Sequence, residues 1–137
     1  MLSARLVDEM DAGSVNGMRF LHHIAIKDAR PVMRAERQFS LAPHRPSTIF
    51  IRNLAYDDTF GAANPTDGKL ELVMQTPRRT WLVKTTQEVT RLPFVEMMLE
   101  SPEEITLSVD GDEVRGTTFD IRVLPRQIRM VTGKERK

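Results

Sequence analysis

The sequence predicts a mainly β domain, an antiparallel β-sandwich carrying one or two short helices. Apolar residues alternate with polar ones at Ile105, Leu107 and Val109, and again at Phe119, Ile121 and Val123, which is the period of a half-buried strand. Asp110-Gly111 stands between those runs, and Asn16-Gly17 and Asp67-Gly68 recur elsewhere; such pairs accept the positive φ of tight turns. Short apolar runs joined by turns favour antiparallel pairing, because a hairpin needs no long crossover.

Taken in order, residues 6–10 read as a short strand, exposed because Asp8 and Glu9 lie within it. Asp11, Ala12, Gly13 and Ser14 carry turn chemistry, and Asn16-Gly17 is a hairpin turn. Met18, Phe20, His22, Ile24 and Ile26 then share one strand face, with Arg19, Leu21, His23 and Ala25 on the other. Both faces are largely apolar, so this strand is expected inside a sheet. Residues 32–38 are expected to form a short helix, followed by a connector interrupted by Pro43 and Pro46. Residues 48–51, with β-branched Thr48, Ile49 and Ile51, read as a strand, 53–66 as a loop, and 69–75 as a strand opened by Asp67-Gly68.

Thr76-Pro77 reads as a helix start, threonine as N-cap and proline at the first helical position. Trp81, Leu82, Val89 and Leu92 supply its apolar stripe, and Pro93 marks its end. A strand over 95–99, a turn at Ser101-Pro102 and the hairpin around Asp110 complete the pattern. Pro125 divides the last run, so that Ile128 and Met130 begin a further strand. Residues 1–132 are expected to form one domain and 133–137 a flexible tail.

Composition narrows the function classes. The chain has 137 residues, enough to bury a hydrophobic core in one domain. Its 20 basic and 19 acidic side chains leave a net charge of +1, which gives no general pull toward nucleic acid. Aromatic residues make up 6% and are not interleaved with basic ones, which argues against a stacking surface for single strands. With no cysteine, thiolate catalysis, disulfides and cysteine zinc sites are excluded. No apolar run approaches a membrane span, and Asp8 and Glu9 stand where a signal peptide has its apolar region. A cytoplasmic location is expected.

Asp110-Gly111-Asp112-Glu113 places three carboxylates within four residues. Such a group can hold a divalent cation or act as a general base, but spacing alone favours a solvated hairpin tip. His22 and His23 are adjacent, so on a strand they face opposite ways and do not chelate one ion. Two partly buried, hydrogen-bonded histidines are expected, with no metal. Asp57, Asp58 and Asp67 flank a loop with Gly61 and two alanines. Asp67 suits a hard cation held with backbone carbonyls, or simply shapes its own turn. No phosphate-binding glycine loop, Gly-x-Ser-x-Gly or His-Glu-x-x-His occurs.

Three segments in order resemble the C-terminal domain of the diacylglycerol kinase and sphingosine kinase-like lipid kinases, the bacterial branch most of all. Residues 11–26, with Val15-Asn16-Gly17-Met18-Arg19-Phe20-Leu21-His22-His23-Ile24, look like its opening strand pair. Residues 53–72, with Asn64-Pro65-Thr66-Asp67-Gly68-Lys69-Leu70-Glu71-Leu72, resemble the loop that ends in Asp-Gly-x-Leu. Val109-Asp110-Gly111-Asp112, with the proline-containing stretch over 121–131, resembles its closing Asp-Gly-Glu turn and strand pair.

The resemblance implies a β-sandwich forming the lipid-facing half of a two-domain kinase, whose ATP binds chiefly to a separate domain bearing Gly-Gly-Asp-Gly-Thr. That motif is missing here, so no kinase activity is expected of the chain by itself. The family's acid in the Asp-Gly-Glu turn implies a catalytic role for Asp112, a shorter carboxylate, as the base that activates the lipid hydroxyl. Asp67 matches the side chain that holds a structural Mg2+ in some members; no firmly bound cofactor is expected beyond it. A diacylglycerol-like lipid and a nucleotide-binding domain or chain are the implied partners. A non-catalytic lipid- or protein-binding module, pairing as a homodimer through a sheet edge, is the alternative. Two departures stand out: Ala25-Ile26-Lys27-Asp28-Ala29 lacks the family's glycines, and the elements before the Asn53 loop are compressed into residues 35–48.

Overall fold

The computed structural model describes residues 6–36, 38–53, 56–57, 61–62, 68–79 and 85–132, with side chains over 10–36, 38–53, 68–77 and 88–126. The described residues are strands and turns throughout, with no helix. Among the described residues twelve strands occur: β1 (Leu6–Val15), β2 (Met18–Phe20), β3 (His23–Ala29), β4 (Val32–Ala35), β5 (Phe39–Leu41), β6 (Ser47–Arg52), β7 (Tyr56–Asp57), β8 (Gly61–Ala62), β9 (Leu70–Arg79), β10 (Thr85–Phe94), β11 (Glu96–Val109) and β12 (Asp112–Thr132). Ten of them form one antiparallel sheet in the order β10-β9-β6-β3-β11-β12-β1-β2, with β4 joined to β11 and β5 to β4, while β7 and β8 pair separately. Among the described residues no helix is long and apolar enough to cross a membrane.

β11 makes a sandwich of this sheet. Along one flank it pairs with β12 on both sides of a bulge, and along the other it pairs twice. Met97, Met98, Leu99 and Glu100 meet β4, whereas Ser108 and Val109 meet β3. Between these contacts the register breaks from Glu100 to Ile105, where a single residue of β12 faces residues 101–104. The chain bends at such a bulge, and Pro102, which has no N–H to give a ladder, is tolerated in it. The β5-β4 branch and the β3-β6-β9-β10 branch therefore diverge from a shared spine. Their inward residues form one core that includes Met33, Ile24, Ile26, Ile49, Ile51, Leu72, Leu99, Leu107, Phe119 and Ile121. A cleft of about 610 Å³ opens where the branches part, lined by Asp28, Arg30, Pro43, Pro102 and Ile105 among others.

The mainly β class is as the sequence predicts, and the short helices are not formed. Residues 32–38 instead begin with β4, whose Met33 and Ala35 are buried in alternation, and Glu36 at φ 50° leads to β5. Residues 76–92 lie largely in the β9–β10 hairpin, paired from Thr85–Arg79 to Phe94–Leu70. Thr76 is no N-cap: it is buried, and its hydroxyl lies 2.8 Å from that of Ser47. The threonines that weaken a helix fit a strand, where branching at Cβ costs nothing. Val89 of the expected stripe is 45% exposed, and Trp81 and Leu82 lie outside the described residues.

Three expected breaks are instead continuous strand. Asp11 to Ser14 belong to β1, the Ser101-Pro102 turn lies within β11, and β12 passes through Pro125. Conversely, the strand expected over 18–26 is divided at Leu21 and His22 into an edge strand, β2, and a central one, β3. The tail over 133–137 lies outside the described residues.

Gly13 owes its place to close approach, not to a turn. Its cross-strand partner is Phe20, and a Cβ at Gly13 would stand 2.2 Å from Cζ of that ring. β2 is three residues long and at the sheet's end, so the buried Phe20 ring over Gly13 is its main anchor. Gly13→Ala is expected to lower unfolding free energy by about 1–3 kcal/mol, the usual cost of overpacking. Denaturant melts check this, and adding Phe20→Leu to Gly13→Ala should recover part of the loss.

Candidate functional site

The three segments that carry the resemblance, far apart in sequence, meet at one end of the sandwich. The turn between β11 and β12 is a two-residue hairpin: Val109 pairs with Asp112, and Asp110 and Gly111 sit at φ 48° and 92°. Positive φ at both central positions matches the twist of the strands it joins. Asp112 begins β12. Being opposite the buried Val109, it shares the inner sheet face, but at its rim, and it is exposed. Among the described residues its side chain has no hydrogen bond or ion pair, and it lines neither the cleft above nor a second one around Met98. Glu113 follows on the opposite face, also exposed.

Asp110 is engaged very differently. Its carboxylate accepts hydrogen bonds from the backbone N–H groups of Leu21 at 2.7 Å, His22 at 2.9 Å and His23 at 3.0 Å. These are the donors a strand running straight from β2 into β3 would give to its ladder, and their capture goes with the break at Leu21 and His22. The carbonyls of the same residues are also satisfied. Leu21 O accepts from Asn53 Nδ2 at 2.8 Å, His22 O from Asn53 N at 2.8 Å, and His23 O from Asp110 N at 3.0 Å. The six backbone N–H and C=O groups of residues 21–23, where β2 gives way to β3, are thus met by two residues.

Partial burial works against charge on Asp110, and the three N–H donors, with the nearby His22, outweigh it. The carboxyl therefore titrates below its ordinary value of 3.8.

Asp11 closes the arrangement from below. It is 1% exposed, and its carboxylate accepts from Gly68 N at 2.7 Å and Arg126 N at 3.1 Å. Asn53 Nδ2 reaches its carbonyl at 2.9 Å. Arg126 is presented by a bulge: the β1–β12 register jumps between Met10 and Ala12, and Arg126 has φ 53°. Asp11 thus joins β1 to the bulged residues after Pro125, to Gly68 and to Asn53. Asn53 Oδ1 is buried and has no hydrogen-bond partner.

Of the residues singled out from sequence, Asp110 and Asp112 flank Gly111 in the hairpin, and only Asp110 is committed to hydrogen bonds. Asp67 lies outside the described residues, next to Gly68. Among the described residues no three His, Asp or Glu side chains gather as a metal-binding group. His22 is exposed, and His23 is half-buried with its ring 6.5 Å from that of Phe50; its Nδ1 is buried without a partner, so the expected pair of hydrogen-bonded histidines is not what forms. Asp11 and Asn53 were not singled out. Asp11 sits among small residues that imitate a turn, and a buried strand aspartate leaves no periodic mark.

The fold class defined by this architecture is an antiparallel β-sandwich built on a forked sheet, and it is shared with diacylglycerol kinases of known structure. A diacylglycerol kinase from Bacillus anthracis str. Sterne aligns with a TM-score of 0.71 at 15% identity, over 93% of this chain and 55% of that one. Two further structures from the same strain, both assigned as diacylglycerol kinases, give TM-scores of 0.72 at 14% and 13% identity. They cover 93% and 94% of this chain and 57% and 58% of theirs. The chain therefore spans little more than half the length of these kinases. No family model matches the sequence, and no curated protein matches it. The resemblance expected from the three segments holds at the level of fold.

Two outcomes follow from the hydrogen bonds. Asn53→Ala is expected to cost about 1–3 kcal/mol, the usual cost of leaving a buried acceptor, here the Asp11 carbonyl, unpaired; chemical denaturation measures it. A carboxyl whose pKa falls on folding stabilises fully above its unfolded value, and the gain is lost as pH drops through the folded value. The protein should therefore lose stability below pH 3.8 more steeply than its Asp110→Asn variant, as read by thermal melts over an acid series.

Proposed function

We propose that the chain is the lipid-facing, acid-bearing half of a lipid kinase, inactive alone and completed by a nucleotide-binding domain or chain. The observation that carries this reading is the meeting of the three resembling segments at the hairpin of Asp112, on a fold shared with diacylglycerol kinases. Exposed Leu21, at 36%, lies at the same end beside Asp110 and gives that end an apolar contact for a partner. In the assembled enzyme Asp112 takes the proton of a diacylglycerol-like hydroxyl. The freed oxygen bonds to the terminal phosphorus of ATP as the bond to ADP breaks. Positioning the phosphates falls to the partner, because phosphoryl transfer rests mainly on placement and charge.

Asp67 is the side chain that would hold a Mg2+ ion. The buried, unpaired Asn53 Oδ1 is an oxygen of the kind that hard cations take. A bound Mg2+ would supply fixed positive charge at this end. The cytoplasm, with the chain at a membrane surface, is the setting this substrate class implies.

A second reading is a non-catalytic module that pairs as a homodimer. It is favoured by β10, a ten-residue strand at one end of the sheet with Val89 45% exposed. Edge strands of that length invite pairing.

Incubation of the chain alone with diacylglycerol, ATP and Mg2+ should give no phosphatidic acid. Robust turnover by the isolated chain contradicts the proposal. Joined to a nucleotide-binding half, Asp112→Asn should reduce turnover by about 10²-fold or more, the scale of a lost general base, with the melting temperature unchanged. A large loss of stability would assign the carboxylate to the turn instead.

A further inference from the structure

The two aspartates of the hairpin have different employments. A type I′ position such as residue 110 is served equally by Asn, Asp or Gly, so the turn does not require a carboxylate. The three N–H groups of Leu21, His22 and His23 do, because a fan of donors is best met by a charged, two-oxygen acceptor. Asp112, by contrast, has no side-chain restraint among the described residues. Its place is set by the ladder with Val109 and by whatever fixes the turn before it.

We propose that Asp110 is the positioning residue of this site. Its carboxylate latches the hairpin to the junction between β2 and β3, and through that junction to Asn53, so that Asp112 and Asn53 keep one fixed relation. The inference rests on the reading of Asp112 as the reactive acid. Each link is a direct bond: Asp110 to the N–H groups of residues 21–23, the carbonyls of Leu21 and His22 to Asn53, and Asn53 to Asp11. Three backbone N–H groups take three of the roughly four acceptor positions of the Asp110 carboxylate. It acts through Asp112 rather than on substrate.

Two variants of the full chain test this. Asp110→Gly keeps the positive φ and removes the carboxylate; Asp110→Asn keeps the turn and one acceptor oxygen but loses the charge. Amide hydrogen exchange at Leu21, His22, His23 and Asn53 should rise about tenfold or more in Asp110→Gly, the scale of a lost charge-assisted hydrogen bond, and by less in Asp110→Asn. Nitrogen relaxation at Asp112 should show new fast motion in Asp110→Gly, while exchange at Leu99 and Leu107 in the core stays as in the parent chain. In the assembled kinase, Asp110→Gly should lower kcat and leave the KM for ATP unchanged. Unaltered exchange at Asn53, together with an Asp112 as ordered as in the parent, overturns the positioning role. Asp112→Asn tests the reading beneath it separately. If that variant turns over normally, the acid's role falls whatever the latch does; if the latch alone fails, the acid's role stands.

Discussion

One carboxylate meeting three backbone N–H groups determines how this end of the molecule is built. β2 and β3 would form a single strand if the sheet kept the donors of Leu21, His22 and His23. Asp110 takes them, β2 goes to one end of the sheet, and β3 goes to its middle beside β6 and β11. The break is affordable because the carbonyls of the same residues are met by Asn53 and by Asp110 N. A charged acceptor is suited to this position, since each such bond is stronger than one to a neutral group.

The rest of the architecture depends on two long strands that tolerate interruption. β11 has 14 residues and β12 has 21, and each carries a proline beside a bulge rather than at an end. The bulge after Glu100 lets β11 serve both branches of the sheet. The bulge after Pro125 aims the N–H of Arg126 at the buried carboxylate of Asp11. Irregularities of this kind re-aim the chain where regular pairing would carry it past its target.

Much of this was legible in the sequence. The alternation at Ile105, Leu107 and Val109 and the Asn16-Gly17 and Asp110-Gly111 turns gave the class and two hairpins correctly, because those signals are local. The helices over 32–38 and 76–92 failed because apolar spacing there fits both periods, and cross-strand partners settle the choice. Strand breaks read from Pro102 and Pro125 failed for a related reason: whether a proline ends a strand or sits in a bulge depends on the opposite strand. At the site, the hairpin acids were legible and their different employments were not. Asp11 and Asn53 were silent, since a buried polar residue declares itself only through partners 32 to 115 residues away.

The account stands or falls on the bonds to Asp110, and an NMR acid titration reads them directly. The side-chain carboxyl carbon of Asp110 and the amide protons of Leu21, His22 and His23 are followed together through the acid range. The geometry predicts one shared midpoint below 3.8, with all three amides moving as the carboxyl protonates. Amides that ignore the Asp110 titration, or a midpoint above that value, would contradict it.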